Sequence, residues 1–199
     1  MNIQKQTIEE YIAFELREEA KYEYFDGFVV ERMPHTLLHI RAMMNVFTSL
    51  SNKLDRQDYE VFPSVLRIKV PAAFPYRYPD VSITRGKLIV ENLLGQDMLV
   101  NPQVIVEVAS PSTKGSESGE RFLAYQSIET FQEYLLVAQD VAHVTRYVRQ
   151  ADNQWLRADF IRMDCVVELK SLGVELTLQE IYQGVDFPPP IPERTQPEN

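Results

Sequence analysis

One apolar run in the chain contains a single charged side chain. Residues 104–106, 108 and 109 are all valine, isoleucine or alanine, which leaves no polar face and predicts a strand that is covered on both sides. Glu107 interrupts this run. Burying an ionised carboxylate is costly unless a partner charge or a metal ion compensates it. The pattern therefore predicts that Glu107 has a cationic partner.

Helical spacing and capping residues predict four helices. Thr7 and Glu10 form a capping box that starts a helix over residues 8–19, and Thr177 opens a second capping box before a short helix that reaches residue 182. Apolar residues at helical spacing predict a long amphipathic helix over residues 35–54. A further helix is expected over residues 119–128.

Alternating and bounded apolar runs predict the strands. Asp26-Gly27 is the residue pair that favours a tight hairpin turn, here between strands at 22–25 and 28–30. Hairpin composition recurs around residues 151–153, within an antiparallel C-terminal set. The remaining predicted strands cover residues 66–70, 79–83, 87–91, 134–138, 143–148, 155–160 and 165–169.

Helices that alternate with strands around a covered central strand indicate an α/β or α+β core. With 199 residues, of which 45% are hydrophobic, the chain suits one domain. We expect this domain over residues 1–187. Residues 188–199 contain five prolines among polar residues and are expected to form a solvated tail.

Composition narrows the function classes. No apolar run approaches the length that crosses a bilayer, and the N-terminus lacks the apolar region of a signal peptide, so we expect a cytoplasmic protein with no membrane partner. Three histidines and one cysteine cannot build a closed zinc site of nitrogen and sulfur ligands. The net charge of −9 argues against indiscriminate phosphate binding, although residues 53–87 carry seven basic and four acidic side chains.

Three carboxylates on predicted strands are candidate metal ligands. Glu23 precedes the hairpin turn, Asp80 follows a proline at the start of a strand, and Glu107 lies in the covered strand. Carboxylate oxygens from neighbouring strands suit a hard divalent cation such as Mg²⁺.

Simpler interpretations of these three residues stay open at this point. Asp80 would then be an ordinary turn residue, and Glu23 would face water at a strand edge. Glu107 would form a buried ion pair with Arg67 or Arg121. His39, which lies among apolar helix positions, is expected to be a hydrogen-bonded helix residue rather than a metal ligand.

Several segments together resemble one known family. Asp80 after a proline, followed by Glu107 within a buried strand, resembles the PD-(D/E)xK nuclease signature. The wider sequence resembles the Uma2 family, a branch of restriction-endonuclease-like proteins. The matching pieces are residues 22–27, His39 with Arg41 and Asn45, and residues 78–81, 107–113, 119–125 and 132–137.

The resemblance implies a restriction-endonuclease-like core, in which helices flank a central mixed β-sheet and extra antiparallel strands follow at the C-terminus. It also implies that Asp80, Glu107 and the main-chain carbonyl of Val108 hold Mg²⁺ or Mn²⁺, with Glu23 completing the acidic cluster. Position 109, where the general signature has a lysine, is alanine. Uma2-like sequences commonly carry that lysine on the following helix, where this chain has Arg121.

The function implied is a Mg²⁺-dependent endonuclease that hydrolyses DNA phosphodiester bonds, with Arg121 in the lysine role. Cutting both strands of a duplex would favour a homodimer. Ala109, Arg121 and the net negative charge motivate an alternative, in which an impaired family member keeps the fold as a nucleic-acid-binding or protein-interaction module. No serine stands in a Gly-x-Ser-x-Gly elbow, so nothing supports a serine hydrolase.

Overall fold

The computed structural model describes residues 5–18, 22–25, 27–31, 35–72, 76–109 and 116–189. Over these residues the helices are α1 (Ile8–Glu15), α2 (Leu37–Lys53), α3 (Ser116–Tyr125) and α4 (Leu178–Ile181). The strands are β1 (Tyr22–Phe25), β2 (Phe28–Glu31), β3 (Tyr59–Pro63), β4 (Arg67–Lys69), β5 (Tyr76–Arg77), β6 (Val81–Arg85), β7 (Val90–Leu93), β8 (Gln96–Leu99), β9 (Val104–Ala109), β10 (Glu133–Ala138), β11 (Val144–Arg149), β12 (Trp155–Phe160), β13 (Val166–Leu169) and β14 (Val174–Thr177).

A six-stranded mixed sheet forms the centre of the fold. Its strand order is β12-β11-β10-β9-β6-β3. The pair β9–β10 is parallel and the other neighbouring pairs are antiparallel. The parallel pair is joined through α3, as a parallel connection requires a crossover. The fold class expected from the sequence, a mixed sheet flanked by helices with extra antiparallel strands, is confirmed.

Both faces of this sheet are covered, by different elements. On one face lie α2, α4 and the β13–β14 hairpin, whose apolar side chains share a core with Val104, Val106 and Val108. On the other face, α3 and a four-stranded sheet of order β5-β4-β8-β7 pack against Ile105 and Tyr134. Every residue of β9 is buried, which confirms the covered strand predicted from its composition.

Alternation along β9 decides which face receives its one carboxylate. Successive side chains of a strand point to opposite faces. The even-numbered valines enter the core beneath α2, so Glu107 points with Ile105 towards α3. The carboxylate is therefore placed between the central sheet and α3.

The resemblance residues on α2 attach this helix to the C-terminal segment. Arg41 donates a hydrogen bond to the main-chain oxygen of Gly184 (2.7 Å), and Asn45 donates to those of Ile181 (3.0 Å) and Gln183 (2.8 Å). These contacts bind side chains on one face of α2 to main-chain carbonyl groups at and just after the end of α4. Arg41 and Asn45 thus act in packing.

A buried ion pair connects the N-terminal helix α1 to strand β4. Glu15, at the end of α1, accepts hydrogen bonds from Arg67 of β4 and from the Tyr78 hydroxyl (3.1 Å). Arg67 also donates to the Tyr78 hydroxyl. Arg67 and Glu15 are 5% and 8% exposed, so each charge depends on the other. Tyr78 lies two residues before Asp80, and this network therefore supports the start of β6.

Several predicted boundaries need correction. The first helix ends at Glu15 rather than residue 19, and its capping box is confirmed. The long helix begins at Leu37 with Thr36 as its N-cap, and the helix predicted at 119–128 runs from Ser116 to Tyr125. The sequence prediction missed strands β3, β5, β8 and β14, which are short or end at a proline.

Some predictions fall outside the described residues. Asp26 of the predicted turn does so, whereas its neighbour Gly27 has φ +85°, the left-handed conformation that such a turn requires. Most of the predicted tail, residues 190–199, is also outside, and the single-domain boundary at residue 187 stays a prediction. Over the part of the chain that is described, no helix is long and apolar enough to cross a membrane.

We expect Arg67→Met to lower the free energy of unfolding by about 3–5 kcal/mol, because it leaves Glu15 as an unpaired buried charge. The double variant Glu15→Gln/Arg67→Met should cost clearly less than the sum of the two single variants. Urea unfolding measures all three. Arg162→Met, which removes an exposed pair with Asp164, is the control and should leave stability unchanged. Additive costs in the double variant would contradict a coupled pair.

Candidate metal centre

Strand pairing brings Asp80 and Glu107 together. Strands β6 and β9 are antiparallel, with Val81 opposite Val106, so the residue before Val81 lies beside the residue after Val106. The main-chain N–H of Val108 donates a hydrogen bond of 2.7 Å to Asp80 Oδ2. Asp80 is 1% exposed and Glu107 is 7% exposed. The interpretation of Asp80 as an ordinary turn residue is therefore wrong.

Val108 presents its main chain to the same site. In an antiparallel ladder, the N–H and C=O of one residue point to the same neighbouring strand. The N–H of Val108 reaches Asp80, whereas the carbonyl of Ala109 faces the other way and accepts a hydrogen bond from Gln139 N (3.1 Å). The carbonyl of Val108 is thus expected on the Asp80 side, where the resemblance places a metal ligand.

Helix α3 supplies two partners to Glu107. The hydroxyl of Tyr125 donates a hydrogen bond of 2.5 Å to Glu107 Oε1. Arg121 lies one turn earlier on the same helix, with its Nη1 atom 3.6 Å from the same oxygen. Of the two ion-pair partners considered for Glu107, Arg121 is confirmed. Arg67 is wrong, because it pairs with Glu15.

Burial raises the pKa of Glu107 from its ordinary value of 4.5 to about 7. Arg121 opposes this shift, the nearby charge of Asp80 adds to it, the hydrogen bond from Tyr125 opposes it, and Glu23 adds to it. Burial also raises the pKa of Tyr125, as does the neighbouring Glu107 charge, so the hydroxyl keeps its proton and donates. Glu107 is thus a carboxyl group whose ionisation lacks sufficient positive charge nearby.

Glu23 reaches the same region from the β1–β2 hairpin. Its Oε2 atom lies 3.0 Å from Nη2 of Arg121 and 3.4 Å from Nη1 of Arg77 on β5. The Glu23 side chain is 12% exposed. The interpretation of Glu23 as a strand-edge carboxylate facing water is therefore wrong.

Histidines approach Asp80 from its other side. His39, in the first turn of α2, has Nε2 at 3.0 Å from Asp80 Oδ1, which confirms it as a hydrogen-bonded helix residue. The ring of His35 stacks on the ring of His39 with centroids 3.8 Å apart. One ligand atom from each of His35, His39 and Asp80 lies within 4.8 Å of the others. Nitrogen ligands are thus available beside the carboxylates.

Sequence reasoning missed three residues of this site: Arg77, Tyr125 as a polar partner, and His35. Tyr125 lies four positions after Arg121, a spacing that places both on one helix face, and this signal was present. No local sequence pattern around Arg77 predicts its contact with Glu23, because only the packing of β5 against β1 brings the two residues together. The side chain of Glu117, four positions before Arg121 on α3, lies outside the described residues.

The residues present fit a divalent cation. Asp80 lies beside Glu107 across the β6–β9 pair, and Glu23 and Glu107 both contact Arg121. The charges of Asp80 and Glu23 raise the pKa of Glu107. A divalent ion relieves such like-charge repulsion and takes carboxylate and carbonyl oxygens as ligands. Asp80 and Glu107 supply these oxygens from adjacent strands. The described contacts of Glu107 fall on Oε1 alone.

The fold and site define a class, a mixed α+β protein that buries an aspartate and a glutamate on neighbouring strands of its central sheet. One solved structure shares this fold, the crystal structure of "a putative nuclease belonging to DUF820" from Anabaena variabilis ATCC 29413. The TM-score is 0.65 at 18% identity, over 83% of this chain and 91% of that chain.

Sequence comparison identifies the family. A sequence model of the Uma2 family, described as "Putative restriction endonuclease", matches residues 8–180. This chain belongs to the Uma2 family. Two similar proteins come from Synechocystis sp. (strain ATCC 27184 / PCC 6803 / Kazusa). "Uncharacterized protein slr1290" is 32% identical over 92% of this chain and 94% of its own length. "Uncharacterized protein sll1609" is 28% identical over 84% and 94%, respectively.

We expect Glu107→Gln to stabilise the protein above neutral pH when no divalent ion is present. The native pKa of about 7 lies above the ordinary 4.5, so Glu107 reduces stability increasingly as pH rises from about 4.5 to 7 and costs nothing below that range. Glutamine keeps an oxygen for Tyr125 and avoids the ionisation cost, which is about 2–4 kcal/mol for a shift of this size.

Urea unfolding in the presence of a chelator, at about pH 4 and about pH 8, measures this effect through the linkage of protonation to folding. The variant and the native chain should match at the lower pH and differ at the higher one. Glu129→Gln, at an exposed glutamate, is the control. Parallel pH profiles for the native chain and Glu107→Gln would contradict the prediction.

Proposed function

We propose that this protein is a Mg²⁺- or Mn²⁺-dependent endonuclease that hydrolyses DNA phosphodiester bonds. The observation that carries the proposal is the meeting of Asp80 and Glu107 in the buried end of the β6–β9 pair, with Glu23 and Arg121 at the same place. Membership of a family described as "Putative restriction endonuclease" supports this reaction class. The choice of DNA and of the ion belongs to the proposal.

Asp80, Glu107 and the Val108 carbonyl would hold the ion, and Glu23 would complete the acidic cluster. When bound there, the ion would lower the pKa of a water molecule and stabilise negative charge on the scissile phosphate. Glu107 must lose its proton to act as a ligand. Because its pKa is about 7, we expect affinity for the ion to rise with pH through this range.

Other residues of the chain would orient these ligands and supply charge. His39 and the Val108 N–H fix the two oxygens of Asp80, and Tyr125 fixes one oxygen of Glu107. Such hydrogen bonds set the direction of a ligand and restrict its movement. Arg121 would place a permanent positive charge next to the phosphate, in the role that a lysine has in the resemblance.

A second candidate function is a nucleic-acid-binding or protein-interaction module that does not cleave. It is favoured by Ala109, which removes the lysine from β9, and by the contacts of Arg121 with both Glu23 and Glu107. An arginine paired in this way is less available to a phosphate. Both proposed functions include a homodimer and the binding of DNA.

We expect Asp80→Ala and Glu107→Ala each to reduce cleavage by at least about 10²-fold, because loss of a metal ligand removes several kcal/mol of charge stabilisation. The assay follows cutting of plasmid and single-stranded DNA in Mg²⁺ and in Mn²⁺. Glu129→Ala, an exposed glutamate, should cleave like the native chain. Cleavage that survives both site variants would rule out this centre. A native chain that binds DNA and never cuts it would support the second function.

We expect Arg121→Ala to reduce the cleavage rate by about 10²-fold with a smaller change in KM, because its charge acts on the transition state. Arg121→Lys should keep most of the rate, since an ammonium group also carries the charge. Arg85→Ala, an exposed arginine outside the site, is the control. Equal rates in Arg121→Ala and the native chain would remove Arg121 from this role. Robust native cleavage that Arg121→Lys leaves unchanged would rule out the non-cleaving function.

A further inference from the structure

Arg77 is a buried cation with few partners. It is 8% exposed, and among the described residues its Nε has no hydrogen-bond partner. Its ion pair with Glu23 is long, at 3.4 Å between Nη1 of Arg77 and Oε2 of Glu23. A buried guanidinium group is unfavourable unless its donors are satisfied. Arg77 therefore retains donor capacity that an additional anion would satisfy.

Arg121 converges on the same carboxylate oxygen. Its Nη2 atom lies 3.0 Å from Glu23 Oε2, so one oxygen contacts two guanidinium groups. The side chains of Arg121, Arg77 and Glu23 are 17%, 10% and 12% exposed. Guanidinium groups commonly bind two oxygens of a carboxylate or a phosphate. Two of them directed at one oxygen form an anion site that a carboxylate fills incompletely.

We propose that Arg77 and Arg121 form a phosphate-binding site, and that Glu23 occupies this site as an internal substitute for phosphate. The ligand class is a phosphate monoester or the phosphodiester of a nucleic acid. The identity of the phosphate as the scissile group rests on the proposed function, whereas anion binding by the two arginines does not. Arg77 is thereby assigned a role in substrate binding.

Glu23 links this anion site to the candidate metal centre. Arg121 contacts both Glu23 Oε2 (3.0 Å) and Glu107 Oε1 (3.6 Å), and the charge of Glu23 contributes to the raised pKa of Glu107, so Glu23 lies within electrostatic reach of Glu107. If Glu23 turns to a divalent cation held by Asp80 and Glu107, it leaves both arginines at the same time. Cation binding then releases the phosphate site, and phosphate binding releases Glu23 for the cation.

The charges favour this coupling. Glu23, Asp80 and ionised Glu107 carry three negative charges, against two positive charges on Arg77 and Arg121. The cluster therefore has one excess negative charge. A divalent cation reverses the sign and leaves one excess positive charge, which a phosphodiester neutralises. Each ligand thus strengthens the binding of the other, and this coupling must be reciprocal.

The proposal is tested first without any metal. Calorimetry in a chelator measures the binding of inorganic phosphate to the native chain and to Glu23→Gln. We expect Glu23→Gln to bind phosphate at least about tenfold more tightly, because the substitution removes the internal anion. The double variant Glu23→Gln/Arg77→Met should lose this gain. Glu23→Gln/Arg85→Met, which changes an exposed arginine outside the site, should keep it.

Two results would overturn the proposal. One is a Glu23→Gln variant that binds phosphate no more tightly than the native chain, and the other is a gain that persists in Glu23→Gln/Arg77→Met. Circular dichroism checks that each variant folds. If the double variant does not fold, Glu23→Gln/Arg121→Met replaces it, and the single Glu23→Gln measurement still decides.

A second measurement separates this proposal from the proposed nuclease function. In the native chain, Mg²⁺ should increase phosphate affinity, and the increase should be smaller in Glu23→Gln, because the variant keeps the charge of the cation and loses the exchange of Glu23. Cation binding without any increase in phosphate affinity would overturn the exchange of Glu23. A native chain that binds no divalent cation would contradict the nuclease function, and the metal-free comparison would then decide the anion site by itself.

Discussion

The pairing of β6 with β9 is the constraint on which the site depends. It places Asp80 beside Glu107 inside a sheet that is covered on both faces, where two carboxylates repel each other and lack water. Different surrounding elements offset the energetic cost of burying each of the two carboxylates. Helix α2 supplies His39 to Asp80, and α3 supplies Tyr125 and Arg121 to Glu107. The candidate centre is therefore held by elements from both sides of the central sheet.

Local patterns in the sequence predicted much of the fold and the centre of the site. An apolar run with one carboxylate predicted β9, and the capping boxes predicted the starts of α1 and α4, because these signals lie within a few neighbouring residues. The ion pairs between residues far apart in the chain could not be predicted from such local patterns. Arg67 was considered as a partner of Glu107, yet it pairs with Glu15, fifty-two positions away. The packing of α1 decides that choice, and no local pattern reports it.

Membership of the Uma2 family accounts for where the charged side chains of the site lie, more than for how strongly each of them can act on a ligand. The strand position that has lysine in the general nuclease signature is Ala109, and its main-chain oxygen pairs with Gln139. The arginine beside Glu107 comes from α3, where Arg121 contacts both Glu23 and Glu107. Compared with a lysine on the strand, an arginine on the helix has a longer side chain and a planar, permanently charged donor group. Whether the Arg121 guanidinium group is available to another anion depends on the carboxylates around it, because the group does not lose its proton.

The β7–β8 hairpin shows why this centre is hard to find by searching for a fixed motif spacing. Asp80 and Glu107 are neighbours in space, but the chain between them leaves the central sheet and forms β7 and β8 in the four-stranded sheet. The hairpin tip at Leu94 and Gly95 is exposed, and exposed loops accept changes of length at small energetic cost. Relatives can therefore differ in the number of residues between the two carboxylates while keeping the same geometry.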